Sequence, residues 1–391
     1  MIKIEKITVC GGGNGAQTLA PIAAHNLECL VDIYAPFADE AERLRARVAA
    51  HGGIQVVDAV QAQARPHRIS ADAAAVIPGS DMVVLVLPAF AHESTLRQIV
   101  PHLDDGAWVG AMPARGGFDY CAAQILSEHG RDDVGLFGLQ TLPWACRIRE
   151  YGQIVHVLGV KEVVDAAARP AAQIGQIAPL LEQMLGLSIG AAANMLALTL
   201  ANTGQLVHPG IMYGLFAGWD GRPFGSDEIP LFYQVLSEDG AQTLLGLSDD
   251  VQAIRGRLES KVDLAAVRPL KAWLLRSYGE AIADSSTLRS AFVSNRAYAG
   301  LKAPVQKVSP EQFAPDFKAR YLTDDVPFGL GVSRATDQLG KENTPTMDKV
   351  IAWAGARLNK DYLSKNVHEA RIPQRYVLQH LEQLIAFATE T

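Results

Sequence analysis

The segment Val9-Cys10-Gly11-Gly12-Gly13-Asn14-Gly15-Ala16 contains the pattern G-x-G-x-x-A at Gly11, Gly13 and Ala16. Each position meets a separate need of a bound dinucleotide. Gly11 makes a tight turn, Gly13 lets the backbone approach a pyrophosphate, and Ala16 allows a helix to pack closely on a sheet. The helix that opens at Asn14 and Gly15 offers unpaired N–H groups to the phosphates. Standing alone the pattern has little specificity; after an apolar run and at the mouth of a helix it is specific. Gly11, Gly13, Asn14, Gly15 and Ala16 are therefore the candidate cofactor residues. The acid that usually ends the second strand and holds the ribose is missing, because that strand closes Tyr34-Ala35-Pro36. Asp32 lies inside the strand and Asp39 beyond it, while Arg43 suits a solvated helix face better than a phosphate. NADH and NADPH both remain open, with a lean to NADH.

Three further residues could do chemistry, and each has a plain structural alternative. His208 precedes Pro209 at the end of a helical stretch, where a histidine can complement a helix dipole or move protons near neutral pH. Asp325 belongs to an Asp324-Asp325 pair just before Pro327, a composition that also makes turns. Arg320 offers a planar fork for a carboxylate, or a surface ion pair. Cys10, Cys29, Cys121 and Cys146 are scattered with no C-x-x-C pair, so neither a metal site nor a disulfide framework is expected. They read as reduced thiols of a cytoplasmic protein, with Cys10 and Cys29 buried in strands.

The elements that must position these groups fall into two textures. The first half alternates β-branched runs with amphipathic stretches, as a parallel α/β sheet requires. Strands are expected over 4–10, 29–34, 82–87, 107–112 and 134–139, helices over 16–24 and 38–50, and inserted short strands over 53–72. Met82–Leu87 is apolar throughout, as a central strand covered on both faces must be. From about residue 171 helical patterns dominate, broken by Pro and Gly loops at 218–230 and 302–330. The apolar stretch Ile189–Leu200 reads as a buried helix, too short for a bilayer. The expected fold is thus an α/β Rossmann domain with a doubly wound parallel sheet over 1–190, followed by an all-α domain over 191–391.

With 391 residues, two domains are the natural expectation, and 49% hydrophobic against 20% charged residues suits a soluble protein with a large interior. A net charge of −7 without any Lys/Arg run argues against nucleic acid as a partner. No membrane partner and no signal peptide are expected either, since the chain enters a strand at once.

Several blocks carry a resemblance that composition does not. Pro88-Ala89-Phe90-Ala91-His92-Glu93, Thr141-Leu142-Pro143-Trp144-Ala145-Cys146-Arg147-Ile148 and Val207-His208-Pro209 resemble the octopine dehydrogenases. So do Trp219-Asp220-Gly221-Arg222-Pro223, Pro230-Leu231-Phe232-Tyr233-Gln234, Ala314-Pro315-Asp316-Phe317, Arg320-Tyr321-Leu322-Thr323-Asp324-Asp325-Val326-Pro327 and Pro373-Gln374-Arg375-Tyr376. They keep their order over nearly the whole chain. The resemblance implies an opine dehydrogenase: an amino acid condenses with a 2-oxo acid such as pyruvate, and NAD(P)H reduces the imine. It makes His208 the general acid–base, Asp325 the acid that orients it, and Arg320 a carboxylate clamp. It adds Pro88 to the cofactor residues and places Thr141, Asn202 and Trp273 in the substrate pocket, with the substrates between the domains.

Two positions depart from that family. Gln140 stands where the octopine dehydrogenases have Glu, and Arg115 where they have Gln. One negative charge is lost and one positive gained, which favours a neutral or acidic amino donor over arginine. The competing expectations are a 2-oxo or 2-hydroxy acid reductase that needs no amine, and a non-catalytic NAD(H)-binding protein. The second would have a broken His208, Arg320 and Asp325 set; the set is intact. A monomer or homodimer is expected.

Overall fold

The computed structural model describes residues 3–340, 343–364 and 370–390. The chain forms two compact units. One takes residues up to Ala114, Phe118–Leu198 and those from Ala388; the other takes Arg115–Gly117 and Thr199–Phe387.

The first unit holds twelve strands among its described residues: β1 (Lys6–Cys10), β2 (Leu30–Tyr34), β3 (Ile54–Asp58), β4 (Ala62–Ala64), β5 (Ile69–Ser70), β6 (Met82–Leu85), β7 (Trp108–Ala111), β8 (Gly135–Leu139), β9 (Trp144–Glu150), β10 (Ile154–Val160), β11 (Val163–Arg169) and β12 (Ser188–Ala191). Its helices are α1 (Asn14–Leu27), α2 (Glu40–His51), α3 (Ala73–Val76), α4 (His92–Ile99), α5 (Phe118–Glu128), α6 (Ile174–Leu185) and α7 (Met195–Leu200). Eight strands make one sheet in the order β12-β11-β8-β7-β6-β1-β2-β5. Neighbours in it run parallel except β8 and β11. Every residue of β6 is buried, as its unbroken apolar run requires. Strand order reverses between β1 and β6, and such a switch point is where an open α/β sheet binds its ligand. A second sheet, β4-β3-β10-β9, joins the inserted strands to a later hairpin.

The stretch expected as one buried helix over Ile189–Leu200 is instead strand β12 and the shorter helix α7. Ile189 and Gly190 pair with β11, and Asn194 Oδ1 accepts the Ala197 N–H to start α7. Cys10 is buried in β1 as expected, but Cys29 lies one residue before β2 and is only half-buried. Burial nevertheless pushes the Cys29 thiol up to about 11 and the Cys10 thiol higher still, so neither is a nucleophile near neutrality.

The second unit is helical: α8 (Gly204–Phe216), α9 (Glu238–Leu258), α10 (Leu270–Tyr278), α11 (Leu288–Val293), α12 (Arg320–Thr323), α13 (Gly331–Leu339) and α14 (Pro345–Leu358). It also carries a small antiparallel sheet that periodicity does not reveal, β13 (Phe224–Gly225), β14 (Val305–Ser309) and β15 (Gln312–Pro315), ordered β13-β15-β14. Strands of two to five residues inside loops are too short to show a period. Among the described residues no helix is long and apolar enough to cross a membrane.

Asp32, the acid inside β2, has a structural task. Its fully buried carboxylate meets Lys6 Nζ at 2.9 Å and His67 Nδ1 at 3.1 Å. Asp32→Ala leaves the Lys6 ammonium with the Val76 and Pro78 carbonyls but no countercharge, and is expected to cost about 3 kcal/mol in urea unfolding. A loss of only about 0–1 kcal/mol, as for a surface pair, would contradict this assignment.

Candidate active site

The glycine turn leaves β1 with the Gly11 N–H donating to Tyr34 O at 2.7 Å. Gly11 has φ +126°, and a Cβ on it would lie 2.7 Å from Val86 O, so only glycine fits. Gly13 has ordinary φ and ψ of −85° and −170°, and a Cβ there would meet nothing within 4 Å. The open face is thus over Gly13, at the N-terminus of α1, where no side chain caps the first amides. Gly15 differs: a Cβ would strike Val86 Cγ1 at 2.8 Å, so this glycine serves packing. Ala16 is fully buried. Asn14 Oδ1 accepts the Ile148 N–H at 2.8 Å, which ties the turn to β9. Pro88 follows β6 across the switch point, and its carbonyl accepts the Ala91 N–H. Gln140 is buried at the end of β8, its N–H donating to Asp165 O, with half-buried Thr141 beside it.

In the second unit His208 lies on the second turn of α8, not at a helix end, with Pro209 inside the same helix. Asp325 follows α12 and opens a π-helical turn, Val326–Leu330, a geometry that recurs at functional sites. His208 Nδ1 donates to Asp325 Oδ2 at 2.8 Å; a carboxylate can only accept, so the neutral ring keeps its proton on Nδ1 and presents Nε2. Tyr321 stacks on the imidazole with centroids 4.1 Å apart, and Phe232 lies at 6.4 Å. The other Asp325 oxygen faces Arg115 Nη1 at 2.6 Å. Arg115 also approaches Asp324 Oδ2 at 3.8 Å and donates to Asn202 Oδ1 at 3.1 Å. Gly204 makes room for it, since a Cβ would sit 2.7 Å from Nη1.

His208, Asp325, Arg115 and Asn202 are therefore brought together. Arg320 begins α12 and is exposed, with no ion pair among the described residues, so the surface salt bridge is not what holds it. Its carbonyl accepts the Asp324 and Asp325 N–H groups, fixing both acids relative to it. Trp273 is buried on α10 and is linked to the imidazole through a chain of rings: it meets Tyr278 edge-on, Tyr278 meets Tyr298 edge-on, Tyr298 stacks on Tyr233, and Tyr233 meets Phe232 edge-on beside His208. One expectation needs correcting. Arg115 does not carry a free positive charge, because Asp325 and Asp324 compensate it. Asp324 is no mere turn residue either. Tyr321, Phe232 and Gly204 escape a reading by residue type, although the first two lie inside the matching blocks.

Comparison with known proteins decides the family. The description "NAD/NADP octopine/nopaline dehydrogenase, alpha-helical domain" matches residues 191–358. An opine dehydrogenase from Haliotis discus hannai is 34% identical, over 98% of this chain and 99% of the relative. An octopine dehydrogenase from Mizuhopecten yessoensis is 35% identical, over 97% of this chain and 98% of its own length. The chain belongs to the opine dehydrogenase family. A solved octopine dehydrogenase with NADH and L-arginine superposes with a TM-score of 0.84 at 33% identity, covering 99% of this chain and 98% of that one. As a member of this family the chain is an NAD(P)-dependent oxidoreductase acting on the CH–NH group of its donors.

The residues present fit such a cofactor. Open backbone at Gly13 and uncapped α1 amides suit a pyrophosphate, and Gly11 holds the turn against the segment after β6. The two glycines should therefore fail differently. Gly13→Ala is expected to keep the melting temperature while raising the NADH Kd at least about tenfold, by filling the space of a phosphate contact. Gly11→Ala is expected to lose about 1–3 kcal/mol of stability from backbone strain alone. Thermal unfolding with NADH fluorescence titration separates the two; unchanged NADH binding in Gly13→Ala would contradict the cradle.

Proposed function

We propose that the protein joins a neutral or acidic amino acid to a short 2-oxo acid such as pyruvate and reduces the resulting imine, with His208 as general acid–base. The observation that carries this is the 2.8 Å bond from His208 Nδ1 to the buried Asp325, which leaves Nε2 presented to a substrate. Condensation needs a group that takes a proton from the attacking amine and gives one to the departing hydroxyl; an imidazole does both. Asp325 keeps the ring in the useful tautomer and stabilises its cationic form. The reduced nicotinamide, when bound, supplies the hydride that the imine carbon takes up. Arg320, exposed and without an ion-pair partner among the described residues, is suited to a substrate carboxylate as a bidentate fork. Arg115, which donates to Asn202 Oδ1, holds Asp325, and Trp273 backs the aromatic wall. Thr141 and Gln140 are assigned to substrate on the resemblance alone. A cytoplasmic setting is supported by four free thiols.

The donor preference now rests on Gln140. It is buried and uncharged, so it offers no carboxylate to a desolvated guanidinium. Arg115 adds no repulsion, being neutralised in place.

His208→Ala is expected to lower kcat by roughly 10²–10⁴ with NADH affinity retained, and Asp325→Asn to act in the same direction. Full activity in His208→Ala would remove it from the mechanism. In steady-state assays with pyruvate, alanine, glutamate or taurine should give a higher kcat/KM than lysine or arginine. Gln140→Glu alone should move preference toward arginine, without unbalancing Asp324 and Asp325. Arginine as best donor of the unmodified enzyme would overturn the charge argument. NADH oxidation with pyruvate and no amine would instead support a plain 2-oxo acid reductase.

A further inference from the structure

No acid ends β2, yet one stands beside the glycine turn. Glu40 opens α2, six residues after Tyr34, and its side chain folds back onto Gly12. A Cβ on Gly12 would lie 2.5 Å from Glu40 Cδ and 2.7 Å from Oε1, so the carboxyl group rests on the middle residue of the G-x-G turn. Gly12 connects the residue that turns the chain to the residue that faces the phosphates, at the carboxyl end of β1 and beside the switch point. In a dinucleotide-binding turn the acid that meets the ribose comes about 20 residues further on, after the second strand.

The Glu40 carboxylate is half-buried and has no hydrogen-bond or ion-pair partner among the described residues. Burial raises its pKa from the ordinary carboxylate value, more than the Arg43 charge lowers it. Arg43 acts on it through space but makes no ion pair with it among the described residues. Arg43 lies over the Tyr151 ring at 5.0 Å and approaches Asp39 at 3.9 Å.

We propose that Glu40 takes the place of the missing strand-end acid, receives the hydroxyls of the adenosine ribose, and selects NADH over NADPH. Two vicinal hydroxyls can both donate to one carboxylate, supplying the donors that Glu40 lacks. A 2′-phosphate at the same position brings a second anion against it, with Asp39 adjacent and no free arginine from Arg43. The proposal rests on the nicotinamide cofactor of the family reading and is independent of the choice of amino donor.

The test is fluorescence titration of the full chain with NADH and with NADPH, for the unmodified protein and for Glu40→Gln and Glu40→Asp, each checked for native melting. The unmodified protein is expected to bind NADH at least about tenfold tighter than NADPH, the worth of charge-assisted bonds gained by one ligand and repulsion met by the other. Glu40→Gln should weaken NADH several-fold and tighten NADPH, collapsing most of that ratio, while Glu40→Asp should keep part of it. Equal affinities in the unmodified protein, or a ratio untouched by Glu40→Gln, would overturn the proposal. Should Glu40→Gln melt early, a ratio unchanged in Glu40→Asp has the same force. Failure of the donor assignment would show as absent turnover with intact NADH binding, and leaves these titrations unaffected.

Discussion

A single carboxylate organises the catalytic cluster. Asp325 gives one oxygen to the His208 imidazole and the other to the Arg115 guanidinium, and it is almost wholly removed from water. An isolated ionised acid at that depth would be costly; a cation on one oxygen and an N–H donor on the other offset that cost. The surrounding structure serves this arrangement. The turn after α12 delivers Asp324 and Asp325 together, Gly204 clears space for Arg115, and Asn202 takes a further guanidinium proton. Gln205 secures the start of α8 by donating to Thr199 O and Ser333 Oγ, which sets the height at which His208 meets its acid.

Much of this was legible in the residues. The glycine pattern, the apolar run of β6 and the 3.6-residue periodicity beyond residue 171 each express a local physical requirement, and such requirements survive in a linear string. What was hidden depended on distance. Nothing near Arg115 announces that residues 324 and 325 will balance it, so residue type alone implies a free charge there. Nothing at Glu40 announces Gly12, since the conventional place to look is the strand end and the side chain reaches back from the following helix. Ile189–Leu200 misled for another reason: its hydrophobicity is real, but a β-branched residue and a glycine beside an edge position favour pairing over helix, and apolar content alone does not separate the two.

The cofactor turn shows how one motif divides its labour among small residues. Gly11 answers to backbone strain, Gly15 to a packed neighbour, and Gly13 to empty space. Only the last has no structural reason to be glycine in the protein by itself. That distinction separates positions kept for folding from a position kept for a ligand.

Arg115–Gly117 are covalently embedded in the first stretch of chain but count with the second compact unit. The two units are therefore not separable cassettes. A gene fusion or domain exchange cut near residue 198 would move His208 and Asp325 while leaving behind the cation that balances the acid, so an exchange of the helical half has to carry residue 115 with it.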